Sequence, residues 1–583
     1  MAPTRRQLFA GAAALAAAPA AQAQAQAQAQ VAAPAVNPGR RAKQPNLLFV
    51  FTDQERYMPA WPKGLSLPGH ERLARGGVTF HNHYCPAVMC TSSRAVMMTG
   101  LQTPDNLMFE NADVPWITKL SPKIPTIGHM LRKAGYYTAY KGKWHLNDEF
   151  DSKDPDRLFT TEMEQYGFSD YLSPGDIIGH QLGGYQFDHL IAGSAITWLR
   201  RHGQELSQQG KPWALFVSLV NPHDIMYFNT DLPGQRVQDA GQLIRHAVRA
   251  PDHPMYRAAW DIPPPNNFKE AFDLPGRPKA HGEFQRLWDF VLGHIPAEED
   301  RWRRFNNYYI NCIRNVDEQL DGLMKELAAL GLADGTAVAF TSDHGEMGGA
   351  HGLHGKGPFV YEESTHLPFM LSHPDVRGGQ DSRALTAHID LVPTLLAMAG
   401  VSATDAAAFA GRQLPGKDIT RLLSNPGGAG VNDLHEAVLF TYSGLATNDS
   451  DLWAKVSEAQ ARGQNPKLAL LRERFVPDMR KRGSLRMAYD GRYKFTRYFS
   501  PRERNKPDSL DALYRLNDVE LYDLANDPAE MTNLAADRAA NAALVQAMSD
   551  KLERSIAAEF GRDDGREMPD IPLIEWTIDR VDL

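Results

Sequence analysis

The sequence predicts an α/β fold in which a mainly parallel sheet is sandwiched by helices and a smaller C-terminal subdomain holds an antiparallel sheet. Four apolar runs show no alternation of polar and apolar residues, which is typical of strands buried on both faces of a parallel sheet. Two later runs, 437–442 and 487–495, are predicted as antiparallel strands, with Asp490-Gly491 as a hairpin turn. The four apolar runs are residues 46–52, 135–140, 213–220 and 336–342.

Each of these four runs is followed by side chains that can bind a metal or move a proton. Ligands of parallel sheets bind outside the carboxyl ends of the strands, so we expect these groups to share one crevice. A lone Asp or His after a strand is usually a turn residue or a helix cap, but four such endings favour a site. The residues that follow the runs are Asp53-Gln54, Lys143 with His145, His223, and Asp343-His344.

A further candidate is Cys90, which opens the segment Cys-Thr-Ser-Ser-Arg-Ala-Val-Met-Met-Thr-Gly at residues 90–100. A small polar run followed by apolar residues predicts the start of a helix. Cys90 would then lie where free N–H groups and the helix dipole favour an anion, with Arg94 one turn further on. The alternative is an ordinary helix N-terminus with a buried cysteine.

Length and composition fit a large enzyme. The chain has 583 residues, of which 43% are hydrophobic and 23% charged, enough for two domains with sizeable cores. The chain has 62 Lys and Arg and 70 Asp and Glu, so its net charge is −8. Because it lacks an excess of basic residues, we expect no nucleic-acid partner. Three cysteines are too few for a disulfide framework.

The N-terminus has the pattern of a targeting signal. Residues 4–9 contain a twin-arginine motif, followed by an apolar run that is too short to span a bilayer and by an Ala-Gln tract with cleavage options. We therefore expect a bacterial protein exported to the periplasm or secreted, without a stable membrane anchor. The predicted divisions are a signal peptide with the Ala-Gln tract at 1–30, a linker at 31–44, a catalytic domain at 45–430 and a C-terminal subdomain at 431–583.

Inside the catalytic domain, an irregular insertion rich in proline is predicted from about residue 224 to residue 300. Long irregular stretches in enzymes often act as lids or substrate loops.

Residues 90–100 resemble the signature of type I sulfatases, C-x-P-S-R-x-x-x-[LM]-T-G, in which the cysteine is oxidised to formylglycine; the usual proline is Ser92 here. The resemblance covers most of the chain and implies an alkaline-phosphatase-like fold and a sulfuric ester hydrolase. Asp53-Gln54 and Asp343-His344 resemble the branch that holds choline sulfatases and phosphonate monoester hydrolases. Further matches to the family lie at residues 142–146, 342–346, 352–356 and 521–524.

The resemblance also implies the site. Oxygen-rich donor sets favour Ca²⁺, Mg²⁺ or Mn²⁺. The resemblance to the family favours Ca²⁺, whereas the imidazole of His344 would favour Mn²⁺. The expected metal ligands are Asp53, Gln54, the oxidised Cys90, Asp343 and His344.

The remaining roles concern protons and charge. His223 and Lys356 are the candidates for protonating the leaving alcohol, and His145 for deprotonating the second hydroxyl of the formylglycine hydrate. Lys143 and Arg94 would hold the hydrate and neutralise charge. The implied partners are a small sulfated substrate and a formylglycine-generating maturation enzyme, and the sequence leaves a homo-oligomer open.

Two alternatives remain at this point. A phosphonate monoester or phosphodiester hydrolase would share the fold and the metal pattern, although the run Lys143-Trp144-His145 has the sulfatase form. A non-catalytic binder of sulfated ligands would follow if Cys90 were not converted to formylglycine.

Overall fold

The central feature of the structure, a computed structural model, is a mixed sheet of eight strands. The structure describes residues 44–112, 117, 119–150, 159–173, 180–475, 477–502 and 507–568; the predicted signal peptide and all but the last residue of the predicted linker lie outside this part. The strands of the sheet are β1 Asn46–Asp53, β2 Val78–Tyr84, β3 Tyr137–Gly142, β4 Trp213–Pro222, β5 Thr336–Ser342, β6 His366–Ser372, β7 Gln380–Ser382 and β8 Thr386–Ala387.

Most neighbouring strands in this sheet are parallel, as predicted. Their order is β3-β4-β1-β5-β6-β2-β7, with β8 beside β2. The strands β3, β4, β1 and β5 run in one direction, whereas β6 is antiparallel to both β5 and β2. The four predicted apolar runs therefore form the continuous parallel half of the sheet.

The helices cover both faces of the sheet. Leu47, Phe49 and Phe51 of β1 pack in one apolar cluster, and Leu48 and Val50 pack in another on the opposite face. Both faces of β1 are therefore buried, which explains its unbroken apolar sequence. The helices are α1 Pro68–Gly76, α2 Cys90–Thr99, α3 Thr103–Asn106, α4 Ile127–Lys133, α5 Gly183–Trp198, α6 Gln204–Gln208, α7 Lys279–Leu292, α8 Glu299–Ala329, α9 Glu362–Thr365, α10 Leu391–Met398, α11 Ala403–Ala410, α12 Ser450–Ala461, α13 Pro466–Glu473, α14 Leu510–Leu516 and α15 Arg538–Glu559.

The predicted C-terminal antiparallel sheet is present, with strand order β12-β11-β10-β9. Asp490-Gly491 forms the turn between β10 and β11, with Gly491 at φ 92°, so the predicted hairpin is confirmed. Helix α15 packs on this sheet through Val545, Met548 and Leu552. The strands are β9 Val438–Tyr442, β10 Ser484–Tyr489, β11 Tyr493–Phe499 and β12 Asp518–Asp523.

The insertion that follows β4 is more regular than predicted. Helix α7 lies inside it, and its buried residues Phe284, Leu287, Trp288 and Val291 recur at helical spacing. The prolines at 254 and 263–265 obscured this periodicity in the sequence.

Within the described residues, no single helix is long and apolar enough to cross a membrane. One pair of helical segments, His388–Met398 and Ala403–Ala410, reaches the required length and apolar composition only when the two are taken together, and the pair is bent by 116°.

Candidate active site

The chemically active side chains converge at the carboxyl ends of the parallel strands. Asp53 is the last residue of β1 and pairs with Pro222 at the end of β4, next to His223. Thr52 pairs with Ser342, the residue before Asp343. Because neighbouring parallel strands end at one edge, the sheet brings these residues together across large sequence separations.

Cys90 is the first residue of α2, as the sequence predicted. Its side chain is buried, and its Sγ lies 3.1 Å from His344 Nε2 and 3.7 Å from Asp53 Oδ1. In a formylglycine hydrate, which carries both oxygens on Cβ, one oxygen would take the place of this sulfur. The structure thus places the candidate nucleophile among metal-type ligands.

Four side chains form a group that could hold a metal ion. One donor atom from each of Asp53, Cys90, Asp343 and His344 lies within 4.8 Å of all the others, and all four residues are buried. His344 Nδ1 lies 3.1 Å from the carbonyl oxygen of Gly345. Since a carbonyl only accepts hydrogen bonds, Nδ1 carries a proton, and in the neutral ring Nε2 presents a lone pair to the group.

Arg94 sets the orientation of both carboxylates. Its Nη2 donates to Asp53 Oδ2 at 2.9 Å, and its Nε donates to Asp343 Oδ2 at 2.8 Å. Lys143 Nζ also donates to Asp53 Oδ2, at 2.6 Å. The cations therefore use the Oδ2 atoms, and Asp53 Oδ1 stays 3.7 Å from His344 Nε2.

The buried charges also fix protonation states. Burial alone would raise the pKa of the Asp53 carboxyl, but the charges of Lys143 and Arg94 hold that pKa well below its usual range. Asp53 is therefore an anion at neutral pH, which is the state that a metal ligand requires.

The two candidate proton-transfer histidines are nearly inaccessible to solvent. Burial, followed by the charges of Lys143 and Arg94, lowers the pKa of His145 well below its usual value. Burial and then Lys143 lower the pKa of His223 in the same way. Both rings are therefore neutral at neutral pH. His145 lies at φ 57°, and its carbonyl accepts a 2.7 Å hydrogen bond from Thr91, the residue after Cys90.

Gln54 and Lys356 are in direct contact beside the metal group. The side-chain Oε1 of Gln54 accepts a hydrogen bond of 2.8 Å from Lys356 Nζ. The main chain of Gln54 reaches the group, because its N–H donates to Asp343 Oδ1 at 3.1 Å. Gln54 thus connects the metal-type residues to Lys356.

Sequence reasoning assigned no role to Ser218 or Glu346. Ser218 Oγ accepts a 2.8 Å hydrogen bond from Arg94 Nη1 and lies in the middle of an apolar strand, where nothing in the local pattern marks it. Glu346 accepts a 2.5 Å hydrogen bond from Gln54 Nε2. Its only signal was its place in the run that begins at Asp343.

The sequence model of the sulfatase family matches residues 45–401. The chain belongs to the sulfatase family. This confirms the predicted family, and with it the predicted sulfuric ester hydrolase.

Among relatives of this sulfatase, the choline-sulfatase of Rhizobium meliloti is 27% identical over 381 residues, covering 62% of this chain and 68% of the relative. The N-acetylglucosamine-6-O-sulfatase of Bacteroides thetaiotaomicron is 26% identical over 407 residues, covering 63% and 70%. The solved phosphonate monoester hydrolase of Agrobacterium radiobacter superposes with a TM-score of 0.60 at 20% identity, covering 89% of this chain and 96% of that one. That likeness confirms the predicted fold.

Proposed function

We propose that this sulfatase hydrolyses sulfate monoesters with a formylglycine hydrate made from Cys90 and a divalent metal held beside it. The observation that carries the proposal is the group of Asp53, Cys90, Asp343 and His344, whose donor atoms lie within 4.8 Å of one another. Arg94 and Lys143 form ion pairs with Asp53 and so place positive charge beside this group. Metal-type donors, a candidate nucleophile and buried cations together form a site for a tetrahedral anion.

The donor set fits a hard divalent cation. Two carboxylate oxygens and one imidazole nitrogen face the same point as Cys90 Sγ, and such ligands suit Ca²⁺, Mg²⁺ or Mn²⁺. We propose Ca²⁺ first, with Mn²⁺ favoured by the nitrogen of His344. When bound, the ion would lower the pKa of the hydrate and draw charge from the sulfate oxygens.

The hydrate of formylglycine would supply two hydroxyls on one carbon: one attacks sulfur and displaces the alcohol, and deprotonation of the other expels sulfate and re-forms the aldehyde, which water hydrates again. His145 is our candidate base for that deprotonation, because a buried histidine with a lowered pKa is neutral and can accept a proton. Lys143 donates to Asp53 and keeps further N–H donors for the hydrate. Arg94 fixes the two carboxylates and thereby keeps the site preorganised.

The leaving alcohol needs a proton, and His223 and Lys356 are the candidates. His223 Nδ1 is buried and has no hydrogen-bond partner among the described residues. An incoming sulfate ester brings a negative charge, which would raise the pKa of this neutral ring toward the protonated state. Lys356 already carries donors and is held by Gln54 Oε1 at 2.8 Å.

A phosphonate monoester hydrolase is the second candidate. The observation that favours it is His344 in the metal group where many sulfatases carry an asparagine, together with the shared fold of the Agrobacterium radiobacter enzyme. The run Lys143-Trp144-His145 keeps sulfate esters as our first choice.

The deciding experiment compares turnover of an aryl sulfate and an aryl phosphonate monoester by the same preparation, with mass analysis of the Cys90 peptide. We expect faster turnover of the sulfate and a formylglycine mass at position 90. Faster phosphonate turnover would favour the second candidate, and an unconverted thiol with no turnover would favour a binder of sulfated ligands.

We also propose twin-arginine export to the periplasm or beyond. The motif lies in residues 4–9, outside the described residues. Export of a folded chain would let a cytoplasmic maturation enzyme oxidise Cys90 first.

A further inference from the structure

Glu346 is a buried carboxylate with an unusual set of partners. Its Oε1 accepts hydrogen bonds from the backbone N–H groups of Gly348, at 2.9 Å, and Gly355, at 2.7 Å. Its Oε2 accepts a hydrogen bond of 2.5 Å from Gln54 Nε2. Glu346 therefore ties the loop after β1 to both ends of the segment that leads to Lys356.

The amide of Gln54 can adopt two orientations, and its neighbours select one. An ionised carboxylate only accepts hydrogen bonds and an ammonium only donates them. Between Glu346 and Lys356, the amide therefore turns Nε2 to the carboxylate, at 2.5 Å, and Oε1 to the ammonium, at 2.8 Å. The opposite orientation would place an N–H donor against the ammonium.

The backbone of Gln54 is fixed independently of its side chain. The residue lies at φ 77°, in the left-handed region. Its N–H donates to Asp343 Oδ1 at 3.1 Å, and its carbonyl accepts a 2.8 Å hydrogen bond from the hydroxyl of Tyr309. Because the main chain is held in this way, the orientation of the side-chain amide is what remains variable, and the contact with Glu346 fixes it.

We propose that Glu346 is a positioning residue: it fixes the amide of Gln54 and, through that amide, aims the ammonium of Lys356 into the active site. The carboxylate also polarises the amide, which strengthens the hydrogen bond from Lys356. The inference rests on the proposed function, since Lys356 is one of its two candidate proton donors. Supporting residues of this kind commonly contribute tenfold to a hundredfold in activity.

The substitution Glu346→Gln separates this role from anchoring of the glycine turns. The carbonyl oxygen of the new amide can still accept hydrogen bonds from Gly348 and Gly355. Its NH₂ group takes the place of the carboxylate oxygen that accepted from Gln54, so a donor now faces Gln54. The Gln54 amide must then flip and present N–H groups to Lys356. We expect kcat/KM to fall by about tenfold to a hundredfold, with an unchanged melting temperature.

A second substitution completes the test. Gln54→Glu alone places two carboxylates at the 2.5 Å contact and should also impair turnover. In the double variant, Gln at 346 donates to Glu at 54, which accepts from Lys356, so the chain of donors and acceptors is restored. We expect the double variant to be more active than either single variant.

The matched control is Glu55→Gln. Glu55 is also buried beside Gln54, but its carboxylate contacts His70 at 2.8 Å and Thr52 at 3.0 Å. Adding Gln54→Glu to the Glu55→Gln variant should therefore not increase its turnover.

The assay uses whichever ester the wild type hydrolyses faster, so a wrong substrate class leaves the Glu346 test intact. Wild-type turnover in Glu346→Gln, or a double variant no more active than the better single variant, would overturn the proposal. If Glu346→Gln alone fails to fold, a folded and active double variant supports the proposal, and an unfolded or inactive one overturns it.

Discussion

Cys90 Sγ lies 3.1 Å from His344 Nε2, although 254 residues separate the two in the sequence. The candidate nucleophile therefore contacts a candidate metal ligand directly, before any modification of the sulfur. A formylglycine hydrate at this position would project its oxygens among the same donors.

We predict that Cys90 is formylglycine in active protein. An aldehyde-reactive probe should label the Cys90 peptide, and Cys90→Ala should lower kcat by at least about a thousandfold, since a covalent nucleophile and its partners act as a unit. Cys85→Ala is the control, because Cys85 is buried and its Sγ lies 3.8 Å from the carbonyl oxygen of Ser364; labelling should persist. A fully active enzyme with only a thiol at position 90 would rule out this nucleophile.

Ser92→Pro should raise the fraction of Cys90 that is converted, because it restores the proline of the family signature. Ser92 lies in the first turn of α2, where helix N–H groups lack intrahelical acceptors and proline costs little. Its hydroxyl is buried without a hydrogen-bond partner among the described residues, so no bond is lost. Mass spectrometry of the peptide measures conversion; equal conversion in both proteins would contradict the expectation.

Asp343→Asn should abolish metal binding and turnover. The substitution keeps the shape but removes the charge from a group that also pairs with Arg94 at 2.8 Å. Metal analysis of the purified variant should give less than a tenth of the wild-type content, on the order expected for the loss of a charged ligand. Asp390→Asn is the control, since that buried carboxylate contacts His435 instead. A variant with normal metal content and rate would refute the assignment.

His145→Ala should separate the two halves of the reaction. If His145 is the base that drives sulfate release, the variant should release about one equivalent of alcohol per active site in a burst, followed by slow turnover. Rapid-quench kinetics with an aryl sulfate measures the burst. A variant that slows the first release as strongly as the steady state would assign His145 to bond breaking instead.

Because of His70, the free energy of unfolding should fall as the pH rises into the alkaline range. Burial alone would lower the pKa of His70, but Glu55 at 2.8 Å and Asp317 at 2.6 Å outweigh it and raise the pKa to about 10. The charged ring contributes its full stability below the unfolded pKa of about 6.5. That contribution is lost as the pH rises through about 10.

Urea unfolding of wild type and His70→Gln at pH 6, 8 and 10 tests this dependence. The difference in unfolding free energy should shrink with rising pH, by at most about 1.4 kcal/mol per pH unit. His246→Gln, at an exposed site, serves as the control. A difference that stays constant from pH 6 to pH 10 would contradict the prediction.

The convergence of the site was predictable because it depends on strand ends. The unbroken apolar runs before Asp53, Asp343 and His223 predicted strands buried on both faces, and parallel strands that end at one edge must bring their next residues together. The helix start at Cys90 was equally local, since a small polar run preceded an apolar one.

The orientation of individual side chains was decided only by tertiary structure. Gln54 was predicted as a metal ligand from its place after Asp53, but the sequence did not indicate that its amide would lie between Glu346 and Lys356, which are 292 and 302 residues away in the sequence. An amide shows no preference for either orientation until a carboxylate and an ammonium lie on its two sides. The strand pattern in the sequence specifies which groups meet at the sheet edge. Which atom of each group faces which partner depends on packing between distant segments, because the direction of a hydrogen bond is set by both neighbours.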